Sequence, residues 1–193
     1  IGLGRMGYNI AKNISKKYNT NVWNRTFKVA EKHSKKYNTK SFSELKDLYN
    51  KSNIIFTCLP TSKEVLNIVN QIEDINNIQY FIDCTSGDYQ ETIKINEILK
   101  KKYIKMLDCP VSGGPEKAEL GNLSSMVGGN VEDYENIKEI LYTFSNPIYI
   151  DKIGSGHAVK SINNLLNVTH LCVASEGLNS LKKLDINIEN AIN

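Results

Sequence analysis

The chain has 193 residues, of which 40% are hydrophobic and 23% are charged, as in ordinary globular proteins. Its 24 basic and 21 acidic side chains leave a formal charge of +3, too small an excess to indicate nucleic-acid binding. No apolar run approaches the ~20 residues of a membrane-spanning helix. We therefore expect no nucleic-acid partner and no membrane partner, and the length allows one or two domains.

The four cysteines, Cys58, Cys84, Cys109 and Cys172, show no CxxC spacing, which excludes a zinc ribbon, and we predict no metal site. They are too few for a disulfide scaffold in a chain of this length. We expect free, buried thiols in a reducing compartment, either cytoplasmic or organellar.

Helices and strands alternate along the chain up to about residue 151. Apolar periodicity and start patterns predict helices over 8–17, 27–36, 43–49, 91–102 and 131–144, with one more after Thr61. Thr61 precedes Glu64 by three residues, which is the pattern of a capping box. Short β-branched runs predict strands over 21–23, 54–59, 80–82, 104–107, 123–127 and 148–150. The alternation predicts βαβ units and a Rossmann-type, doubly wound α/β fold with a mostly parallel sheet.

A different pattern follows, because 157–183 is helical without interruption and its apolar residues recur in steps of three and four. We predict a Rossmann domain over 1–152 and the first helices of a truncated all-α domain over 153–193. We expect the apolar face of the long helix to be uncovered, and to pair in a homo-oligomer or to aggregate. Since a strand normally precedes the glycine motif at Gly2, we expect the first strand and any targeting signal to be missing.

The chain opens with a GxGxxG motif, whose residues are Gly2, Leu3, Gly4, Arg5, Met6 and Gly7. The first glycine permits a tight turn, the second lets the backbone approach a pyrophosphate, and the third allows a helix to pack closely on a strand. The N–H groups at the start of the next helix then face the anion. Within a βαβ pattern, this motif predicts a dinucleotide site.

The residues about 20 positions after the motif select the cofactor. NAD enzymes usually carry an acid there, which binds the ribose 2′-hydroxyl. This chain has Asn24, Arg25 and Thr26 instead. Because an arginine pairs with a phosphate that an acid would repel, the sequence predicts NADP rather than NAD. The alternative is that Asn24 and Arg25 only cap the strand and that NAD binds without its acid.

Two further patterns indicate where a substrate binds. Ser112, Gly113 and Gly114 follow a strand, and their hydroxyl and N–H groups can form a concavity for a carboxylate. A plain β-turn is the alternative. Lys160 and Asn164 share a helical face, so the lysine is a candidate general acid for a carbonyl oxygen and the asparagine a positioning group. A solvated helix lysine is the alternative.

The nearby His157 allows two interpretations. It can carry a proton, or it can lie in the first turn of the long helix. A nucleophilic pair of Cys109 with His157 is a further alternative, but the sequence shows no third group that would orient the histidine.

Three motifs give the chain a resemblance to a known family. They lie at 2–7, at 108–114 continuing to 126–129, and at 154–164. In these motifs the chain resembles the β-hydroxyacid dehydrogenases, the group that contains 3-hydroxyisobutyrate dehydrogenase, tartronate semialdehyde reductase, glyoxylate/succinic semialdehyde reductase and 6-phosphogluconate dehydrogenase. The resemblance covers almost the whole chain and implies a Rossmann domain followed by an all-helical domain.

The resemblance also implies roles for particular residues. Lys160 would be the catalytic lysine, and the 112–114 segment with Asn164 would contact a small carboxylate-bearing substrate. The further cofactor contacts implied are a Leu-Pro turn, an acid, and a serine where the family often has threonine: Leu59, Pro60, Glu64 and Ser86. The implied reaction is a reversible, NADP-dependent hydride transfer to or from a small β-hydroxyacid or semialdehyde.

Three other kinds of protein remain as alternatives: a non-catalytic dehydrogenase-like binding or scaffold module, an imine reductase, and 6-phosphogluconate dehydrogenase. A non-catalytic relative would be expected to lose the lysine, and imine reductases usually lack it, whereas this chain has Lys160. The third group shows His-Asn-Gly after the lysine, whereas this chain has Asn163, Asn164 and Leu165.

Overall fold

A computed structural model describes residues 1–73 and 77–192 of the chain. The chain divides into two compact units, Ile1–Lys160 and Ser161–Asn193. The division falls inside one long helix. The domain boundary expected near residue 152 stays a prediction.

The helices and strands that the sequence patterns predict occur in the predicted order among the described residues, together with three further elements. The helices are α1 (Gly7–Ile14), α2 (Phe27–Lys36), α3 (Leu45–Asn50), α4 (Ser62–Asn70), α5 (Tyr89–Lys101), α6 (Gly114–Leu120), α7 (Val131–Leu141), α8 (Ser155–Lys183) and α9 (Ile188–Ile192). The strands are β1 (Thr20–Val22), β2 (Thr39–Ser41), β3 (Ile54–Thr57), β4 (Tyr80–Asp83), β5 (Lys105–Asp108), β6 (Val111–Ser112), β7 (Leu123–Gly128) and β8 (Ser145–Asp151).

Most strands belong to one mixed sheet. Strands β3, β4 and β5 are parallel neighbours, and β7 pairs antiparallel with β5 and β6 and parallel with β8. Strands β1 and β2 form a separate parallel pair. Ile1 and Gly2 bridge the two sheets, since the Gly2 N–H donates to the Trp23 carbonyl and the Cys58 N–H donates to the Ile1 carbonyl. The predicted Rossmann-type α/β arrangement is therefore observed, with antiparallel pairs at β7.

Helices cover both faces of the larger sheet because successive strand residues point to opposite sides. Phe81 and Met106 pack with the apolar sides of α3, α4 and α5. Their neighbours Ile82 and Leu107 pack instead with α1 and α7. A strand that is buried on both faces needs apolar residues at every position, which explains the unbroken apolar runs in the sequence.

Three elements were not predicted: β2, β6 and α6. The two strands have three and two residues, too few to show a period. Helix α6 begins at Gly114 with a proline in its first turn, and because Gly and Pro also mark turns, the segment resembles a loop. Two predicted helices end earlier than expected, at Ile14 and Leu141, and the last strand starts earlier, at Ser145.

The unit Ser161–Asn193 contains the later part of α8 and the short α9. Its apolar side chains between 162 and 173 are 50% to 68% exposed: Ile162, Leu165, Leu166, Val168, Leu171 and Val173. The prediction of an uncovered apolar face is confirmed. Among the described residues, no helix combines the length and the apolar character that crossing a bilayer requires.

Replacement of Leu99 by alanine should test the packing of α5 on the sheet. Leu99 is fully buried in the cluster that contains Phe81, so Leu99→Ala should lower the free energy of unfolding by about 2–5 kcal/mol. The same change at Leu120, which is 78% exposed, should cost less than about 1 kcal/mol. Urea unfolding measures both values, and equal losses for the two variants would contradict this packing.

Candidate cofactor and substrate site

The glycine motif forms a tight loop in front of α1. Gly2 has a φ of +87°, and a Cβ atom there would lie 2.5 Å from the Cys58 carbonyl oxygen. A Cβ on Gly7 would lie 2.0 Å from the Gly2 carbonyl oxygen. A Cβ on Gly4 would meet nothing within 4 Å. The first and third glycines are therefore needed by the loop itself, whereas the second leaves the backbone open to a ligand.

Asn24 ties this loop to the segment that follows β1. Its Oδ1 accepts a hydrogen bond from the Leu3 N–H at 3.0 Å, and its Nδ2 donates to the Thr26 carbonyl at 3.2 Å. Arg25 and Thr26 are exposed. The three residues at the predicted 2′-position therefore differ in their roles, since the Asn24 side chain organises the glycine loop while its two neighbours face solvent.

A cleft of about 610 Å³ lies beside the loop. Most of the predicted cofactor residues line it: Gly2, Gly4, Arg5, Met6, Gly7, Asn24, Arg25, Thr26, Leu59, Pro60 and Glu64. Two predicted residues do not. The Leu3 side chain is buried against Val22, and Ser86 is exposed outside the cleft lining. The structure therefore brings the glycine motif, the end of β1 and the Leu-Pro turn together.

The cleft also has lining residues that the motifs did not reveal: Trp23, Cys58, Asn67, Ile68 and Gln71. Three of them belong to α4 or follow it directly. Together with Glu64 they recur every three or four positions, so they share one face of the helix. This helical spacing is the sequence pattern from which these lining residues of α4 could have been identified.

The turn at Leu59 is held from the neighbouring strand. The Thr85 Oγ1 accepts a hydrogen bond from the Leu59 N–H at 3.1 Å. Asp83 Oδ1 in turn accepts from the Thr85 N–H at 3.0 Å and from the Thr57 hydroxyl at 2.8 Å. Asp83 and Thr85 are both 1% exposed. One wall of the cleft therefore depends on buried polar groups at the end of β4.

Thr61 starts α4 and orients Glu64 at the cleft. Its Oγ1 accepts a hydrogen bond from the Lys63 N–H at 3.2 Å, so the predicted cap is present, although its amide partner is Lys63 and not Glu64. The Thr61 hydroxyl also donates to the Glu64 carboxylate. This bond lowers the pKa of Glu64, and the positive charge of Arg25 acts in the same direction. Glu64 is therefore a carboxylate at neutral pH.

The 112–114 segment joins β6 to α6 and is not a plain β-turn. Ser112 pairs with Ser124 of β7, and its side chain is half-buried. Gly113 and Gly114 have φ values of +133° and +72°, which residues with a side chain rarely adopt. Gly113 is exposed. The segment therefore presents a hydroxyl and exposed backbone at a strand end.

Lys160 is buried although it carries a titratable amine. It lies in the second turn of α8 and is 8% exposed. Burial disfavours the charged form and lowers the pKa of Lys160. This burial excludes the solvated-lysine alternative. Asn164 lies further along α8, in the unit Ser161–Asn193, and its side chain is exposed.

Asp108, at the end of β5, fixes the start of α8. Its Oδ1 accepts a hydrogen bond from the Gly154 N–H at 2.6 Å, and its Oδ2 accepts from the His157 N–H at 2.7 Å. Burial raises the pKa of Asp108, whereas the His157 ring and the two amides favour its charged form. The helix that carries Lys160 is therefore bonded directly to the sheet.

The imidazole of His157 is fully buried in the first turn of α8. Its Nε2 lies 2.9 Å from the Thr85 carbonyl oxygen, and its Nδ1 lies 2.6 Å from Thr92 Oγ1. Cys109 is also fully buried. Because both ring nitrogens have other partners, the structure contains no nucleophilic pair of Cys109 and His157.

Comparison with known proteins places this site in a family. The profile of the NAD binding domain of 6-phosphogluconate dehydrogenase matches residues 1–154. The probable mitochondrial 3-hydroxyisobutyrate dehydrogenase of Dictyostelium discoideum is 31% identical over 184 residues, which are 93% of this chain and 57% of the relative. The 2-(hydroxymethyl)glutarate dehydrogenase of Eubacterium barkeri is 30% identical over 183 residues, which are 92% of this chain and 61% of the relative.

A solved structure shares the fold. The Mycobacterium tuberculosis 3-hydroxyisobutyrate dehydrogenase with L-serine matches with a TM-score of 0.89 at 21% identity, over 96% of this chain and 65% of that chain. This chain therefore spans less than two thirds of the length of these relatives. The matched domain, the relatives and the glycine-loop cleft together show that the chain belongs to the β-hydroxyacid dehydrogenase family and contains its NAD(P)-binding Rossmann domain.

Proposed function

We propose that the protein is an NADP-dependent oxidoreductase that transfers a hydride between nicotinamide and a small β-hydroxyacid or semialdehyde. Lys160 is its general acid and base. The observation that carries this proposal is the burial of Lys160 at the start of α8, with a lowered pKa. A buried amine costs free energy, and a pKa closer to neutrality suits a group that gives and takes a proton.

The cleft beside the glycine loop suits a dinucleotide. The open position at Gly4 lets a pyrophosphate approach the backbone, and no side chain of the described residues caps the N-terminus of α1. Arg5 and Arg25 are the only arginines of the sequence, and both line the cleft. Two guanidinium groups beside one cleft favour a ligand with several phosphates.

Arg25 supports NADP over NAD. It is exposed at the cleft, where its planar guanidinium can pair with a 2′-phosphate. Asn24 is neutral and is engaged with the loop backbone, so no carboxylate stands at the position that usually binds the 2′-hydroxyl of NAD.

The substrate is a small carboxylate bound at 112–114. The relatives support this class, because 3-hydroxyisobutyrate and 2-(hydroxymethyl)glutarate are both hydroxymethyl carboxylates, and L-serine in the mycobacterial structure is also a β-hydroxyacid. Gly113 is exposed and has no side chain, so no side chain of its own shields its backbone from a carboxylate. The protein forms a homo-oligomer through its helical region, where the exposed apolar residues of α8 lie.

The protein contributes position and proton transfer. The bound cofactor supplies the hydride chemistry. During reduction, Lys160 Nζ donates a proton to the carbonyl oxygen of the substrate, and during oxidation it accepts the hydroxyl proton. The burial of Lys160 restricts the conformations of its side chain, which lowers the entropic part of the barrier.

Replacement of Arg25 tests the cofactor. Arg25→Ala should reduce the preference for NADPH over NADH by roughly 1–3 kcal/mol, because the 2′-phosphate loses its charged partner. Titration of both cofactors gives the Kd values. Arg5→Ala is the matched control and should weaken the two cofactors equally, since Arg5 belongs to the glycine loop. Equal affinities of the unaltered protein for NADPH and NADH would refute the preference.

Replacement of Lys160 tests the mechanism. Lys160→Ala should lower turnover by roughly 10²–10⁴-fold, while the Kd for NADPH stays nearly unchanged. Lys160→Arg should restore little, because arginine does not release its proton at neutral pH. Lys182→Ala, an exposed lysine of the same helix, is the control. The absorbance of NADPH in the presence of small semialdehydes and glyoxylate measures the rates. Equal turnover of Lys160→Ala and Lys182→Ala would contradict the role of Lys160 as general acid and base.

The protonation of Lys160 determines how the rates of reduction and oxidation depend on pH. Reduction needs the ammonium form of Lys160, and burial lowers the pKa of that group. The rate of reduction should therefore fall as the pH rises, with a midpoint below the ~10.4 of an ordinary lysine. The rate of oxidation should rise over the same pH range.

A further inference from the structure

The His157 ring is enclosed by groups that the proposed reaction does not use. It is fully buried, and its two nitrogens bond to the Thr85 carbonyl at 2.9 Å and to Thr92 Oγ1 at 2.6 Å. These partners lie on the segment after β4 and on α5. The ring therefore joins the start of α8 to two other elements.

The hydrogen-bond partners restrict where the ring carries its protons. A carbonyl oxygen only accepts, so Nε2 carries a proton for Thr85. The Thr92 hydroxyl has one proton, and the Asp88 carbonyl at 2.7 Å and Nδ1 at 2.6 Å both lie within its reach. If the proton goes to the carbonyl, Nδ1 must donate to Thr92 Oγ1 and the ring is an imidazolium, whereas if it goes to Nδ1, the ring is neutral. The charges around the ring distinguish these two arrangements.

Two buried carboxylates flank the ring. Asp108 Oδ2 lies 3.9 Å from Nδ1, and Asp83 Oδ2 lies 4.0 Å from Nε2. Within the described residues, Asp83 Oδ2 is buried without any hydrogen bond. An unpaired buried carboxylate oxygen is costly, and a positive ring beside it offsets that cost.

The other ionisable groups around the ring leave this charge arrangement intact. Asp88, at the start of α5, directs its carboxylate to the Glu91 N–H. The contact with Cys109 and burial raise the pKa of Cys84, which keeps that thiol neutral. Lys160 follows one turn along α8, and burial lowers its pKa.

We propose that His157, as an imidazolium bound between Asp83 and Asp108, is the positioning residue that fixes Lys160. The two residues are three positions apart, so they are neighbours on one side of the helix. Thr85 binds the His157 ring through its carbonyl and the Leu59 N–H through its hydroxyl. The same threonine thus connects the lysine helix to the wall of the cofactor cleft. This inference rests on the proposed role of Lys160.

Nitrogen-15 NMR of the imidazole rings tests the proton count without any assay of activity. The sequence has three histidines, His33, His157 and His170, and comparison with His157→Gln assigns the buried ring. The proposal expects protons on both nitrogens of this ring at pH 7. A proton on only one nitrogen would overturn the proposal, whatever Lys160 does.

Kinetics test the positioning. His157→Gln should lower kcat by about tenfold to a hundredfold, the effect of a slightly misplaced group, while the Kd for NADPH stays nearly unchanged. His170→Gln makes the same change at an exposed position of α8 and should leave kcat unchanged. Equal kcat values for the two variants would overturn the proposal. So would a parallel loss of kcat and NADPH binding, which marks general unfolding.

Variants of Thr92 test the same proposal if His157→Gln does not fold. Thr92→Val removes the acceptor of Nδ1 at nearly constant shape and should lower kcat, whereas Thr92→Ser keeps the hydroxyl and should restore it. Equal kcat for the two variants would contradict the proposal. If Lys160→Ala leaves turnover intact, the proposed function fails, but the NMR result still decides the charge of His157.

Discussion

One buried carboxylate, Asp108, determines where the long helix begins. The first N–H groups of a helix have no partner within it, and a buried N–H without a partner costs about 1–3 kcal/mol. Asp108 accepts two such groups, from Gly154 and His157, and its negative charge also suits the positive end of the helix dipole. Because Lys160 lies one turn further on, its place relative to the sheet follows from this carboxylate.

A second buried carboxylate, that of Asp83, organises one wall of the cofactor cleft. Asp83 ends β4 and lies opposite Asp108 in the parallel register. It supports Thr85, which holds the Leu59 turn at the cleft. Ligands in such sheets bind at the carboxyl ends of the strands. Two neighbouring strand ends therefore organise the cofactor wall and the lysine helix, with the His157 ring between them.

The sequence predicts those features that depend on local patterns. The alternation of helices and strands, the glycine loop and the long helix are all visible in spacings of a few residues. Elements of two or three residues, such as β2 and β6, carry no period, so they were not predicted. The roles of Asp83 and Asp108 were also not predicted, since the amides bonded to Asp108 lie 46 and 49 positions away along the chain. The family resemblance implies a cofactor contact for Ser86, and its place outside the cleft lining is visible only in the fold.

Amide hydrogen exchange in an Asp108→Asn variant tests the central role of this carboxylate most directly. The asparagine amide has one carbonyl acceptor in place of two carboxylate oxygens, so one of the two helix N–H groups loses its partner. The account predicts at least about tenfold faster exchange at Gly154 or His157, equivalent to a loss of ~1.4 kcal/mol, with the amides of β4 still protected. Unchanged exchange at both Gly154 and His157 would contradict it.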